Sequence, residues 1–455
     1  MNATGRFSAQ GDLFWAVTEA ETAERLARLK PRQRLARIPG MAQLCQKRPF
    51  ALLMRAAQER DPGAFRFWPR TWVFPEDDAP SSATFQREGP LIYKPSDGAQ
   101  GDGIVLLNSH VEMKRKLAAA GSGPDCVLQS YLAEPLLLDG LKFDVRLYVL
   151  VTSLSPLRVL CCTEGLVRVC TKTYEAPSSR NSHLLNAHLT NYSVNKYEAG
   201  YQHDDDPFAG DRGTKRSLRA VWSHLETLGY DAAGMEREMH AVVAKTCAAM
   251  AGALRDEDEA MPASSLWPPQ EQHGAAASFA GGRGGRAGPA ASAGPAGGEK
   301  GVTQCFQLLG FDLMFSDNKA AEADAPRVHL LEVNCNPSLA IDSVFPLVGP
   351  HCCLPHPLPT DTPWYESCKA AMAQLPYKGA RQCLCRDHHR PHLHAPSAVD
   401  LVAKRVAVGG AMTIVRRQMK AGSRRGGEGA SEVTLAELAR GTAYVPVMDD
   451  EELLC

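Results

Sequence analysis

No stretch of this chain approaches the about eighteen unbroken apolar residues that a membrane-spanning helix needs, so no membrane partner is expected. The N-terminus lacks both a basic n-region and a long apolar run, and a secretory leader is not expected either. The fourteen cysteines are scattered and form no short, regularly spaced frame, which points away from a disulfide scaffold and toward a reducing, intracellular compartment. An excess of charge is also missing. Lysine and arginine number 50 against 51 acids, so net charge singles out no nucleic acid or other polyionic partner. A glycine-rich stretch from Pro95 to Gly103 lacks the Gly-Lys-Ser/Thr ending of a P-loop and opens no helix, which excludes that motif and the dinucleotide fingerprint.

What is present centres on Gly310 to Pro337. Two apolar β-type runs, Phe311 to Phe315 and Val328 to Val333, flank a polar connection containing Asp317, Asn318, Lys319, Glu322 and Asp324, the pattern of an antiparallel strand pair buried in a sheet. Each run carries an acid where a core strand wants none: Asp312 in the first, Glu332 followed by Asn334 in the second. Alternation puts Glu332 and Asn334 on one face. A carboxylate pair plus an amide carbonyl is a hard-oxygen donor set, suited to magnesium shared with nucleotide phosphates. A buried acid satisfied by hydrogen bonds is the plainer alternative.

The 455 residues suffice for about two or three domains, and mixed strand and helix patterns make the class α/β (α+β). Helical patterns are expected from Trp15 to Leu29 and from Met41 to Arg60. A strand over Leu91–Lys94, the glycine-rich loop and a strand over Ile104–Leu107 form a hairpin that can lay N–H groups over phosphates, with Lys94 beneath it. A helix is expected over Val111–Ala120, then a strand over Val127–Leu132 leading into a linker. Lys142, Asp144 and Arg146 alternate with apolar side chains leading into a Leu147–Val151 strand, so they share one face of a lined cleft. Two further strands are expected, Val159–Cys162 and Leu166–Val169. The His188–Lys196 run, too polar for core, is expected to be a loop. Lys215–Arg255 reads as helical, with Met235 and Met239 as core filler. Residues 256–301 read as a disordered insertion, rich in Gly, Ala, Pro, Ser and Arg from 274 onward.

In this order, KPSDGAQGDGI, QSYL, LKFDVRLYVLV, EGLVR, HLTNYSVNK, GFDLMF and LLEVNCNPS resemble the tubulin tyrosine ligase-like family, amino-acid ligases of the ATP-grasp fold, and EGL before Arg168 sides with its polyglutamylase branch. The resemblance implies two lobes with largely antiparallel sheets clasping ATP: residues 86–135 as the central lobe, and 136–255 with 302–375 as the C-terminal lobe. A small α/β domain over 1–85 would precede them, and a basic, Cys/His-containing extension over 376–455 would follow. It implies ATP contacts at Lys94, Gln100, Gly101, Gln129, Ser130, Tyr131, Leu132, Lys142, Asp144, Thr190 and Asn191, and Mg2+ ligation by Asp312, Glu332 and Asn334. The incoming glutamate would meet Arg168, Tyr192, Ser193 and Lys215, and Arg146 would face the γ-phosphate and the reacting carboxyl group.

The implied reaction moves ATP's γ-phosphate to a carboxylate of a tubulin tail, after which an amino acid's amine attacks the acyl phosphate. Arg146 or Arg168 would stabilise the oxyanion. A monomer working on microtubules in the cytoplasm, at the axoneme or basal body of a cilium or flagellum, follows from the same resemblance. Glycine as the added residue, a non-tubulin acceptor and a non-catalytic microtubule-binding relative are the alternatives. One departure stands out: glutamylases commonly place a substrate-binding lysine some way beyond the metal-binding asparagine, yet residues 335–368 contain no lysine or arginine.

The C-terminal region carries two more features. Cys383, Cys385, His388, His389, His392 and His394 have the ligand types for zinc, although their spacing fits no standard module and an ordinary loop is the alternative. Lys404, Arg405, Arg416, Arg417, Lys420, Arg424 and Arg425 form a basic segment suited to acidic tubulin tails or simply to solvent. Removing Asp312 or Glu332 is expected to abolish incorporation of labelled glutamate while leaving most of the fold intact.

Overall fold

The computed structural model describes residues 11–16, 18–98, 101–121, 125–196, 198–203, 206, 208–255, 304–317, 327–339, 342–346, 392–424 and 433–449. The chain opens with β1 (Leu13–Phe14), α1 (Glu19–Leu26) and β2 (Arg34–Leu35), β1 and β2 pairing in parallel. The Thr18 hydroxyl caps α1 by accepting from the Glu21 N–H, so the helix is shorter than the expected Trp15–Leu29 run. The Met41–Arg60 pattern is two helices, α2 (Met41–Leu44) and α3 (Lys47–Arg60). Pro49 lies in the first turn of α3, where its missing N–H costs nothing; it could not continue a preceding helix.

A four-stranded antiparallel sheet follows, in the order β3-β6-β4-β5: β3 (Thr71–Phe74), β4 (Leu91–Pro95), β5 (Val105–Leu107) and β6 (Cys126–Ser130). Helices α4 (Ser82–Glu88) and α5 (His110–Ala119) accompany it, and Trp72, Phe85, Tyr93, Met113 and Leu128 fill its core. The glycine-rich stretch joins β4 to β5 as a hairpin, as expected. β3, which precedes residue 85, pairs with β6 of this sheet, and Phe85 of α4 packs in the same core.

The larger sheet runs β10-β9-β8-β11-β12, with short β7 (Leu137–Leu138) against β8. β8 (Leu141–Leu154) and β9 (Leu157–Thr173) make one long antiparallel hairpin, so the two strands expected within β9 are one, continuous through Thr163 and Gly165. Between β9 and β10 lie α6 (Leu185–His188) and α7 (Tyr192–Asn195). The expected loop here is therefore two short helical turns. Asn195 is fully buried and pins them: its amide accepts from the Thr171 N–H and donates to the Leu189 carbonyl. The supposed helix start at Lys215 is strand β10 (Lys215–Ser217), and α8 (Leu218–Thr227) and α9 (Ala232–Arg255) come after it. Met235 and Met239 are core, as expected. β11 (Gln307–Phe315) is buried along its whole length and pairs antiparallel with β8 and with β12 (Val328–Asn334).

Strands buried on both faces need cover on both. Val145, Leu147, Val149, Phe311 and Leu313 pack on α8 and α9, joined by Ile38, Met41 and Met54 of the N-terminal segment. Tyr148, Leu150, Leu160 and Leu308 pack instead against Ala407, Ala411, Ile414 and Val415 of α10 (Ala398–Arg424), which follows the β13 (Asp342–Pro346) and β14 (His392–Pro396) pair. The basic segment thus includes a packed helix. α11 (Leu435–Ala439) leads to β15 (Tyr444–Asp449), which pairs with the Arg158–Cys162 part of β9. Among the described residues, the segments before β3 and after β14 contribute to the main cores. Cys383, Cys385, His388 and His389, the whole 256–301 stretch and Arg425 lie outside the described residues, as do Asn318, Lys319, Glu322 and Asp324. Among the described residues no helix is long and apolar enough to cross a membrane.

Truncating Phe311, fully buried between β8 and β12, is expected to cost about 3–5 kcal/mol by leaving a cavity. Urea denaturation of Phe311→Ala measures it.

Candidate active site

The site grows from one register. Asp312 on β11 stands opposite Arg146 on β8 and opposite Glu332 on β12. A β-bulge between the Asp312 and Leu313 pairings makes this possible. Leu330 and Glu332, two apart, would share a face on a regular strand; the extra residue leaves Leu330 in the core and turns Glu332 toward Asp312. Gly310 supplies room, since a Cβ there would lie 2.9 Å from Arg146 Cδ and from Pro337 Cβ.

A chain of charge crosses three strands. Arg146 grips Asp312 through Nε and through Nη2 at 2.7 Å. Arg168 on β9 donates from Nη2 to Asp312 Oδ2 at 2.8 Å and from Nε to Asp144 Oδ1 at 2.8 Å. Burial alone would push the Asp312 carboxyl up; the two guanidiniums outweigh it and hold the carboxyl well below its usual range. Glu332 moves the other way. Burial and the neighbouring Asp312 charge raise it, although Arg146 and Lys94 oppose them. Asn334 donates from Nδ2 to Glu332 Oε1 at 3.1 Å.

Two lysines, Lys94 half-buried and Lys142 buried, line the same region. Lys94 donates to Gln129 Oε1 at 2.7 Å, and burial lowers its ammonium to about 8. Lys142 donates to the Tyr131 hydroxyl at 2.6 Å, and burial lowers it to about 7; the Tyr131 hydroxyl also meets His188 Nδ1 at 3.1 Å. The linker is less open than its sequence implied. Gln129 Nε2 donates to Thr71 Oγ1, and the Ser130 and Tyr131 N–H groups bond to the Arg70 and Pro90 carbonyls. Leu132, just beyond, is half-buried. The hairpin reaches the α7 entry: Gly101 adopts φ +89°, and a Cβ there would lie 3.3 Å from Asn191 Cγ, with Thr190 buried alongside in sequence. Gln100 lies outside the described residues.

On the other flank Lys215 is paired in register with Arg168 and sits 4.0 Å over the Tyr192 ring, next to Ser193 in α7. Its ammonium meets Asp400 Oδ2 at 2.5 Å, and Lys404 meets Asp400 Oδ1 at 2.7 Å. Asp400 is 1% exposed, so the first turn of α10 closes this side of the site. Sequence reading missed Asp400 and placed Lys404 in a basic segment suited to acidic tails or to solvent. The signal available was an acid and a lysine four apart behind Ser397, whose hydroxyl accepts from the Asp400 N–H. Lys47 was missed too, and nothing near it in sequence marks it. At the start of α3, it donates to the Gly98 carbonyl of the hairpin and lies within electrostatic reach of Glu332.

Antiparallel sheets bringing desolvated lysines, paired arginines and two carboxylates together define a class of site for phosphate and carboxylate chemistry. The Tubulin-tyrosine ligase family profile matches residues 26–265, more than half of the chain, and the chain belongs to that family. It is 32% identical over 334 residues to tubulin polyglutamylase TTLL6 of Mus musculus, covering 73% of this chain and 34% of that protein. Tubulin polyglutamylase TTLL11 of Homo sapiens is 32% identical over 320 residues, covering 67% and 38% respectively. Tubulin polyglutamylase TTLL13 of Homo sapiens is 30% identical over 333 residues, covering 73% and 34%. The chain therefore spans little more than a third of the length of these relatives. The family implies an ATP-grasp fold and the use of ATP and Mg2+.

Magnesium fits the donor set. Among the described residues no group of three His, Cys, Asp or Glu side chains could hold a metal, so a cation here would rely on two carboxylates, the Asn334 amide and outside oxygens. The repulsion that raises Glu332 is what a divalent ion between the carboxylates would relieve.

Asp312 is more than a ligand candidate, because removing it strips a partner from two half-buried arginines. Asp312→Asn is expected to destabilise the chain by about 3–5 kcal/mol, a cost to stability beside the expected loss of ligation. Glu332 carries the opposite sign: its raised carboxyl favours folding below the ordinary glutamate value, an advantage lost as pH rises through the raised one. Glu332→Gln is therefore expected to stabilise the metal-free chain at neutral pH and to do nothing in acid. Denaturation curves at both pH values measure this pair of effects.

Proposed function

We propose that this chain is an ATP-dependent protein-glutamate ligase that adds glutamate to glutamate side chains in tubulin C-terminal tails. The observation that carries the reading is the Asp144–Arg168–Asp312–Arg146 network beside Glu332, flanked by Lys94 on one side and the Lys215–Asp400–Lys404 cluster on the other. Relatives named tubulin polyglutamylases support the choice of amino acid and acceptor.

In this reading Lys94, Lys142 and Lys47 take the phosphates of ATP beneath the hairpin, with Asp144, Thr190, Asn191 and the Gln129–Leu132 linker completing the nucleotide site. Asp312, Glu332 and Asn334 hold Mg2+, which neutralises phosphate charge. Each guanidinium carries five N–H donors, so Arg146 and Arg168 can hold their aspartates and still present N–H groups to a phosphoryl oxygen or an oxyanion. A carboxylate is a poor electrophile. Phosphorylation of the acceptor carboxylate supplies a leaving group, and the glutamate amine displaces phosphate to form the new amide. Lys215, Tyr192 and Ser193 position that glutamate. Lys404 supplies the cation absent from residues 335–368, since α10 returns it to the site through Asp400.

Purified chain incubated with microtubules, ATP, Mg2+ and labelled amino acids is expected to incorporate glutamate into tubulin tails, read by mass spectrometry; incorporation of glycine alone, or none, would sink the assignment. Lys404→Ala is expected to raise the KM for glutamate about tenfold or more with a smaller change in kcat, the pattern of a lost binding contact. Lys94 and Lys142, lowered to about 8 and about 7, would regain protons against phosphate. ATP binding should therefore take up protons and weaken as pH rises through those values, which calorimetry in buffers of differing ionisation enthalpy detects.

A further inference from the structure

Burial leaves the Lys142 ammonium to be solvated by the protein. Only 2% exposed, Lys142 holds its Nζ 3.9 Å from the centre of the Tyr131 ring and 5.7 Å from that of Tyr174. His188, buried at the end of α6, backs both tyrosines edge to face, at 5.9 Å and 78° to Tyr131 and at 5.7 Å and 83° to Tyr174. Two tyrosine faces beside one ammonium attract it through the negative charge of their π-systems. The group draws on separate parts of the fold, since Lys142 lies on β8, Tyr131 just past β6, Tyr174 just past β9 and His188 on α6. Its walls are held in place. The Tyr174 hydroxyl donates to the Ala133 carbonyl at 2.6 Å, and Tyr131 packs with Ile92, Leu106 and Leu189.

The hydrogen bonds here have one consistent direction. An ammonium only donates, so the Tyr131 oxygen accepts from Lys142 at 2.6 Å. The Tyr131 proton then goes to His188 Nδ1, which lies 3.1 Å from the hydroxyl oxygen. An imidazole that accepts at Nδ1 is neutral and carries its own proton on Nε2. We infer that His188 is a positioning residue for the nucleotide: by taking the Tyr131 proton it keeps the Tyr131 oxygen turned toward Lys142, and so aims the ammonium at the phosphates. One of the three ammonium donors goes to Tyr131, which leaves two for phosphoryl oxygens. Without His188, Tyr131 can turn its proton toward a deprotonated Lys142 and favour the neutral amine. Burial lowers Lys142 to about 7, with Cys170 and Asp144 opposing it and Lys94 adding to it, so the direction of this bond matters near neutral pH. Burial and the Lys142 charge also lower His188, which keeps it neutral and able to accept. The consequence for nucleotide rests on the function proposed above; the direction of the hydrogen bonds does not.

The direction is read without nucleotide, by nitrogen NMR of the full chain carrying isotope-labelled histidine, with the His188 signals identified by their loss in His188→Asn. The shifts of a neutral ring protonated at Nε2 are expected; a proton on Nδ1, or a doubly protonated ring at neutral pH, would overturn the network. A fluorescent ATP analogue with Mg2+ reads the consequence. His188→Phe keeps an aromatic ring but removes the acceptor, and is expected to bind about threefold to tenfold more weakly, the range for one hydrogen bond. His188→Asn offers an amide oxygen near the place of Nδ1 and is expected to bind within about twofold of wild type. That order separates positioning from packing, because asparagine fills the space of the ring less well than phenylalanine. Equal losses in both variants, or no loss in His188→Phe, would refute the positioning role. In a Lys142→Met background His188→Phe is expected to add no further loss, and additive losses would exclude a route through Lys142. The ligase reading is judged separately, by glutamate incorporation with the wild-type chain.

Discussion

The Asp312 carboxylate and the two guanidiniums that share it are the constraint on which the rest of the site depends. A lone ionised carboxylate in the middle of a buried sheet would be strongly penalised, and so would two arginines beside it. Together they are tolerated, and the pairing ties β8, β9 and β11 into one charged surface within an otherwise apolar sheet. The other groups are placed relative to it: Glu332 through the bulge, Lys94 within electrostatic reach of Glu332 and Asp312, and Lys215 through its register with Arg168.

Opposed shifts in neighbouring groups follow from the same electrostatics. Asp312 is held ionised, whereas Glu332 resists ionisation and two lysines resist protonation. A site so poised is incomplete without charge from outside. Anionic phosphates would favour the ammonium forms of Lys94 and Lys142, and a divalent cation would favour ionised Glu332, so the proposed nucleotide and metal would each supply what burial has withdrawn.

The α10 helix changes how the C-terminal region is understood. Its apolar residues Ala407, Ala411, Ile414 and Val415 cover the face of the sheet that carries Tyr148 and Leu150, and its first turn places Asp400 between two lysines. Helix and site are thus one construction: the same packing that completes the core sets the position of Lys404. The hairpin of the smaller sheet shows the same economy, since Lys47 and Asn191 approach it from two separate elements.

Local patterning was enough for the hairpin with Lys94, the β11–β12 pair with its acids, the shared face of Lys142, Asp144 and Arg146, and the burial of Met235 and Met239. Each depends on alternation or helical spacing between near neighbours. The bulge that turns Glu332, the single long β9, the buried turns around Asn195 and the return of Lys404 to Lys215 were settled by tertiary structure. An extra residue in a strand, a polar side chain satisfied by distant backbone, and a helix docked 185 positions away leave no periodic trace, because their causes are partners remote in sequence. Apart from Lys47 and Asp400, the charged groups of the site were thus legible in the chain. Which of them face one another was decided only when the sheet closed.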